Sequence, residues 1–413
     1  MLNNKWLRAA IPALLIHCSV GTVYCWSTFK QAIATQIGMS QSAVGWAFSL
    51  AIFFLGMSAA FVGRFVERDI HKSSLIACIC FSVGMVGTGF SIQFLTGWAA
   101  LIGVYLCYGV IMGIGLGVGY LTPVKTLMLW FSENKGLATG ISIMGFGLAK
   151  AIATPIMTVL QSSVGISGMF YILGAVYFCI MFAGHLLLKK PDGWTEVDDR
   201  HNQVKFKPLS MFKDRQFLGI WLMFFLNIHC GLMIISYEKQ ILGTAFYGLS
   251  ILPVIVSVVP SLSAISNALG RIGYSTISDK LKERNSVYKI IFVSSALISL
   301  TALLTHSFVS ATTIIPAIVV VAFLLIINAG YGGGFSTLPA LLSERFGMSR
   351  ISQIHGLALS AWAIAGLTGN NLSELIVSST NSYESILPVE IALYTVALII
   401  CIFAVRGKNS RKS

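Results

Sequence analysis

The sequence predicts an all-α membrane protein of twelve transmembrane helices, arranged as two six-helix halves with both termini on the cytoplasmic side. Three observations carry this. Of the 413 residues, 56% are apolar and only 10% charged, whereas a soluble domain carries roughly a quarter charged residues. With a mean hydropathy of +0.81, lipid is the solvent for most of the surface. The apolar residues also fall into runs of the ~20 residues that cross the hydrocarbon of a bilayer as a helix. Finally, a long hydrophilic stretch divides those runs six and six.

The first half, 1–188, holds runs at 9–29, 42–62, 73–92, 98–126, 138–160 and 165–188. The N-terminal run resembles a signal peptide in its Lys5 and Arg8, but no small-residue cleavage site closes it. It continues through Tyr24-Cys25-Trp26 as a first span. The segment 189–216, with Lys189, Lys190, Asp192, Glu196, Asp198, Asp199, Arg200 and Lys205, reads as a cytoplasmic central loop. The second half, 217–413, holds runs at 217–237, 248–273, 288–305, 311–338, 354–377 and 386–405. Cytoplasmic loops collect Lys and Arg. With the N-terminus inside, every Lys and Arg lies in a cytoplasmic loop or tail except Lys30 and Lys239 outside and Lys125, Lys150 and Arg271 within spans. The net charge of +13 is therefore an orientation signal, not a nucleic-acid surface.

Other classes lack their chemistry. The eight cysteines lie inside apolar stretches without zinc-ligand spacing to histidine, and read as small buried hydrophobes rather than a disulfide framework. No metal or cofactor is expected. A membrane-embedded enzyme needs a nucleophile, a metal set or a carboxylate pair at depth; H-E-x-x-H and G-x-S-x-G are absent. A sensor would carry a larger soluble domain.

The loops after the second and eighth spans repeat one pattern, an acid four residues after a small residue and then a base. These are Gly63 to Glu67-Arg68, and Ser275 to Asp279-Lys280. The pattern resembles the cytoplasmic gating motif of the major facilitator superfamily, with Ser275 in place of the glycine. An acid there can pair with a base or a helix N-terminus while the cytoplasmic side is closed.

An ionisable side chain at bilayer depth costs about 2.5–3.5 kcal/mol on insertion scales, so each is a candidate functional residue. Arg271 closes a stripe of Ser263, Asn267 and Arg271 at four-residue spacing on one helical face. Its guanidinium is a planar fork of donors matched to a carboxylate and stays charged, so it points to an anionic substrate. Lys150 shares a face with Ser142 and Phe146 near the middle of the fifth span. Lys125 lies nearer the cytoplasmic end of the fourth, within reach of the headgroups. The acids Glu238, Glu374 and Glu390 lie toward outer ends, which leaves His17 as the group that titrates at depth near neutral pH. His17, Gly21 and Tyr24 share a face; Gly109, Gly113 and Gly117 form a close-packing stripe ahead of Tyr120; Asn328, Tyr331 and Phe335 share another face beside Gly332-Gly333-Gly334.

Together, Gly21 to Phe29, Gly115 to Tyr120, Trp130-Phe131 with Lys135 to Gly140, Gly145 to Leu148, Asn267 to Arg271 and Tyr331 to Pro339 resemble the oxalate/formate antiporter family, which is related to the monocarboxylate transporters. The resemblance implies a secondary carrier of small carboxylates with a substrate site at the midplane between the halves. It places Arg271 at the family's substrate-binding arginine and Tyr24, Tyr120 and Tyr331 at cavity aromatics. Oxalate-carrying members have a lysine in the eleventh helix; residues 355–377 here contain none and offer His355 and Trp362.

The expected substrate-binding set is thus Arg271, Lys150, Tyr24, Tyr120, Asn267, Tyr331, Phe146 and Trp362, with Gly63, Glu67, Arg68, Asp279 and Lys280 as gates and His17 for proton coupling. Formate, oxalate, lactate or pyruvate is the expected cargo, moved by a monomer in a bacterial inner membrane. Anion exchange is the first reading and proton-coupled monocarboxylate symport the second. A drug exporter with a cationic substrate would prefer a buried acid to a buried arginine.

Overall fold

The computed structural model describes residues 4–193, 207–310 and 313–405, and among them every regular element is a helix. Helix α1 runs over Trp6–Ile37, with a π-turn at Trp6–Ala10 and a 3-10 turn at Gly21–Cys25. Gly21 is obligatory for its packing, because a Cβ there would lie 2.7 Å from the Phe146 Cα. Helix α2 is Gln41–Arg68, opened by Ser40, whose hydroxyl accepts the Ala43 N–H at 3.2 Å. A single residue, Asp69, separates it from α3, Ile70–Phe94. The Asp69 carboxylate accepts the Lys72 N–H at 2.9 Å, and that bond chiefly holds it below the usual carboxylate range.

Helix α4 is Gly97–Trp130. The helical run Lys135–Leu187 breaks at Gly165, whose φ of 75° and ψ of 172° only glycine adopts readily. Its arms are α5, 135–164, and α6, 166–187, matching the two runs expected there. Next come α7, Arg215–Ile235, capped by the Asp214 carboxylate on the Gln216 and Phe217 N–H groups, and α8, Leu252–Lys280. The remainder are α9, Ser286–Leu304; α10, Ile314–Phe346; α11, Ile351–Thr380; and α12, Ile386–Phe403. Short helices cover Pro208–Lys213 and Glu238–Ala245. Among the described residues, ten helical runs are long and apolar enough to cross a membrane, Lys135–Leu187 counting as one. In the central loop, Glu196, Asp198, Asp199, Arg200 and Lys205 lie outside the described residues, as do Arg406, Lys408, Arg411 and Lys412 of the tail.

The chain forms two compact units. One is Met1–Leu209 with Leu342–Ala363, the other Ser210–Leu341 with Ile364–Ser413. In the first, the glycine stripe of α4 faces α2. A Cβ at Gly109 would lie 2.9 Å from the Leu50 Cβ, one at Gly113 2.9 Å from the Phe54 Cβ, and one at Gly117 would strike the Leu55 carbonyl. The start of α11 docks on the same helix, where Gly63 leaves no room for a Cβ beside Gln353 and Gly356 none beside Ala59. In the second unit α8 and α10 meet backbone to backbone through Gly270 and Gly332. Both units expose large apolar side chains such as Phe61, Trp98, Leu269 and Ile314, which suits a lipid-facing surface.

Candidate functional site

Arg271 is the centre of the second unit's polar stripe. It lies nine residues before the end of α8 at Lys280, about 13 Å along the helix axis. At 1% exposure its side chain is enclosed by protein and does not reach toward headgroups. Its Nε donates to the Asn267 Oδ1 at 2.8 Å, which sets the plane of the guanidinium, and its Cζ stands 5.3 Å from the centre of the Phe335 ring. Phe335 in turn packs edge-on to Tyr331, with centroids 5.1 Å apart. The Ser336 hydroxyl donates to the Arg271 carbonyl at 2.6 Å, tying α10 to α8 at the arginine itself. This close approach requires Gly332, since a Cβ there would stand 3.0 Å from both the Arg271 Cγ and the Asn267 Oδ1. Arg271, Asn267 and Tyr331 are therefore brought together.

The first unit assembles a separate aromatic group. Phe146 of α5 contacts Tyr24 of α1, Tyr120 of α4 and Trp362 of α11, with ring centroids 5.3, 5.6 and 5.7 Å apart. Tyr120 also meets Trp362 at 5.6 Å and His355 at 6.1 Å. Lys150, half-buried, continues the stripe of Ser142 and Phe146 one turn further along α5. His17 bridges three helices. Its Nδ1 lies 2.8 Å from the Ser142 hydroxyl and 2.9 Å from the Ser142 carbonyl, and its Nε2 lies 3.0 Å from the Tyr120 carbonyl.

The two gating motifs have different partners. Glu67 is buried: one carboxylate oxygen pairs with the Lys125 ammonium, and the other accepts the Ser352 N–H at 2.6 Å in the first turn of α11. The Lys190 ammonium donates to the Glu67 carbonyl at 3.0 Å. Asp279 instead accepts from the Arg284 Nη1 at 2.6 Å, and the same nitrogen donates to the Ser278 hydroxyl. Arg68 and Lys280, the bases that follow the acids, are exposed.

Lys125 corrects the sequence reading. It does not extend to the headgroups but is 2% exposed and paired with Glu67. The signal for this was available, because Lys125 continues the four-residue stripe of Gly109, Gly113 and Gly117 that faces α2. Glu390, in the first turns of α12, is likewise fully enclosed. It lies beside Ser299 of α9 and Tyr394.

Comparison with known proteins agrees with this architecture. The family model "Major Facilitator Superfamily" matches residues 13–370. The chain is 27% identical to the uncharacterized MFS-type transporter YhjX of Escherichia coli (strain K12), over 88% of this chain and 86% of that one. It is 22% identical to the oxalate:formate antiporter of Oxalobacter formigenes, over 92% and 86%. Among solved structures, the proton:xylose symporter XylE superposes with a TM-score of 0.72 at 15% identity, covering 96% of this chain and 94% of that one. With its all-helical, apolar build and a family match across most of its length, the chain is a multi-pass integral membrane transporter, not an enzyme, and belongs to the Major Facilitator Superfamily.

Proposed function

We propose that the protein is a secondary carrier of small organic carboxylates, of the formate, oxalate, lactate or pyruvate class, working by alternating access with twelve crossings and both termini in the cytoplasm of a bacterial inner membrane. The observation that carries this reading is Arg271, buried at 1% exposure with its plane set by Asn267 and its face on Phe335. A guanidinium stays charged at physiological pH, and its planar fork of donors matches a carboxylate. The printed activity of the Oxalobacter formigenes relative, oxalate:formate antiport, supports the same cargo class.

Lys150 and the aromatic group of Tyr24, Tyr120, Phe146 and Trp362, all in the first unit, are proposed to take part in substrate selection. Gly63, Glu67 and Arg68, and likewise Asp279 and Lys280, are proposed to act in cytoplasmic closure. Glu67 acts by holding Lys125 and the first turn of α11. For the coupling, anion exchange and proton-coupled symport are the two readings proposed, both built on a carboxylate held by the guanidinium fork of Arg271.

Liposomes preloaded with unlabelled carboxylate and reconstituted with the protein test the reading through entry of labelled formate, lactate, pyruvate or oxalate. Arg271→Ala is expected to lower entry at least about a hundredfold, the equivalent of roughly 3 kcal/mol of lost charge contact. Entry that survives Arg271→Ala unchanged, or that organic cations rather than anions saturate, refutes it.

A further inference from the structure

We infer that His17 is a proton-binding site wired for both of its charge states, and that it links carboxylate movement to a proton; this rests on the carrier reading above. The argument is an inventory of donors. The Tyr120 carbonyl accepts only, so the Nε2 facing it at 3.0 Å carries a hydrogen. At Nδ1 two groups wait. The Ser142 hydroxyl, 2.8 Å away, can donate to an unprotonated Nδ1, and the Ser142 carbonyl, 2.9 Å away, can accept from a protonated one. When Nδ1 takes a proton, its hydrogen bond passes from the hydroxyl to the carbonyl of the same residue, so neither state leaves that nitrogen unsatisfied. A histidine with a purely structural role needs only one such partner. A fully buried polar group held in two equally bonded states is built to change state.

The position gives the proton a use. The His17 ring lies 5.2 Å from the Tyr120 ring, on the aromatic group that includes Phe146 and Trp362. Ser142 itself heads the α5 stripe that continues to Lys150. Among the described residues, the titratable or charged groups on the elements packed against it include Tyr120 from α4, His355 from α11, which senses the His17 charge, Lys150 along α5, and Cys18 and Tyr24 on α1. None of these named groups carries a carboxylate, so a protonated His17 adds its positive charge to that of Lys150 in the same unit. That charge attracts a carboxylate, and by linkage a bound carboxylate raises the affinity of His17 for its proton by the same factor. Proton and anion therefore travel together, and an inward proton gradient accelerates uptake.

Two measurements test this. In liposomes the expected ratio of carboxylate entry at pH 5.5 to that at pH 7.5 is well above one for the unmodified protein. It flattens toward one in His17→Gln, whose amide keeps a donor for Tyr120 and an acceptor for the Ser142 hydroxyl but cannot take a proton. An unchanged ratio overturns the proposal, while absence of entry by the unmodified protein defeats the carrier reading instead. The second readout needs no substrate. Ring-15N spectra of histidine-labelled protein report the proton on Nδ1 directly, with His17→Gln assigning the signal. Ser142→Ala removes the partner of the neutral form and spares that of the charged form, so the midpoint is expected to rise by roughly half to one pH unit, the worth of one neutral hydrogen bond. A His17 signal that does not titrate between pH 4 and 9, or a midpoint that stays or falls in Ser142→Ala, overturns it.

Discussion

Replacing Lys125 by methionine tests whether the Glu67–Lys125 pair is a buried lock or an ornament of the membrane surface. The side chains of the two residues are 2% and 6% exposed, so the pair belongs with enclosed ion pairs. Breaking one of these from one side costs about 3–5 kcal/mol, because a charge is left buried. A surface pair is worth about 1 kcal/mol or less. Glu67 retains the Ser352 N–H at 2.6 Å, a bond that offsets part of the loss, which places Lys125→Met near the lower end at about 3 kcal/mol. Glu67→Gln is expected to cost a similar amount by stranding the ammonium. The double variant leaves no buried charge at this pair and keeps an acceptor for Ser352, so its expected deficit is only about 1 kcal/mol. Unfolding by sodium dodecyl sulfate in mixed micelles measures all four proteins. Two single losses that add in the double variant, or a Lys125→Met loss below about 1 kcal/mol, would refute the enclosed-pair argument.

Two further outcomes follow from the packing. Gly332→Ala places a Cβ 3.0 Å from the Arg271 Cγ and against the Asn267 carbonyl, which forces α8 and α10 apart at an expected cost of about 1–3 kcal/mol and lowers apparent carboxylate affinity. Gly273→Ala, on the same helix with nothing within 4 Å of its Cβ, is expected to be neutral or to stabilise by up to about 1 kcal/mol, and the two unfolding curves distinguish local crowding from generic loss of glycine. Asp69→Ala removes the cap of α3 and is expected to destabilise by about 1 kcal/mol at pH 7. Because the Asp69 pKa is lowered from 3.8 in the fold, that difference is present at neutral pH and fades as the pH falls below that value; a deficit that persists unchanged in acid would show that the cap does not act through its carboxylate.

Residue chemistry alone was enough to mark the chain as an all-helical, multi-pass membrane protein, because a bilayer admits only backbone that satisfies its own hydrogen bonds. Twenty-residue apolar runs therefore declare themselves locally. Arg271 was conspicuous for the same reason, as a charge in a setting that penalises charge, and the Ser263–Asn267–Arg271 spacing assigned it to an inward face. The glycine stripe of α4 was equally readable as a close approach, though not the helix it approaches. Local pattern could not pair Glu67 with Lys125, 58 residues away, or bring Ser352 to the same carboxylate. Nor could it place Ser142 and Tyr120 around His17, or enclose Glu390 against Ser299. Such partners are chosen by which helix faces pack together. A charge's neighbours decide whether it lies at the surface or between helices, so those surroundings became visible only when the tertiary fold set the distances.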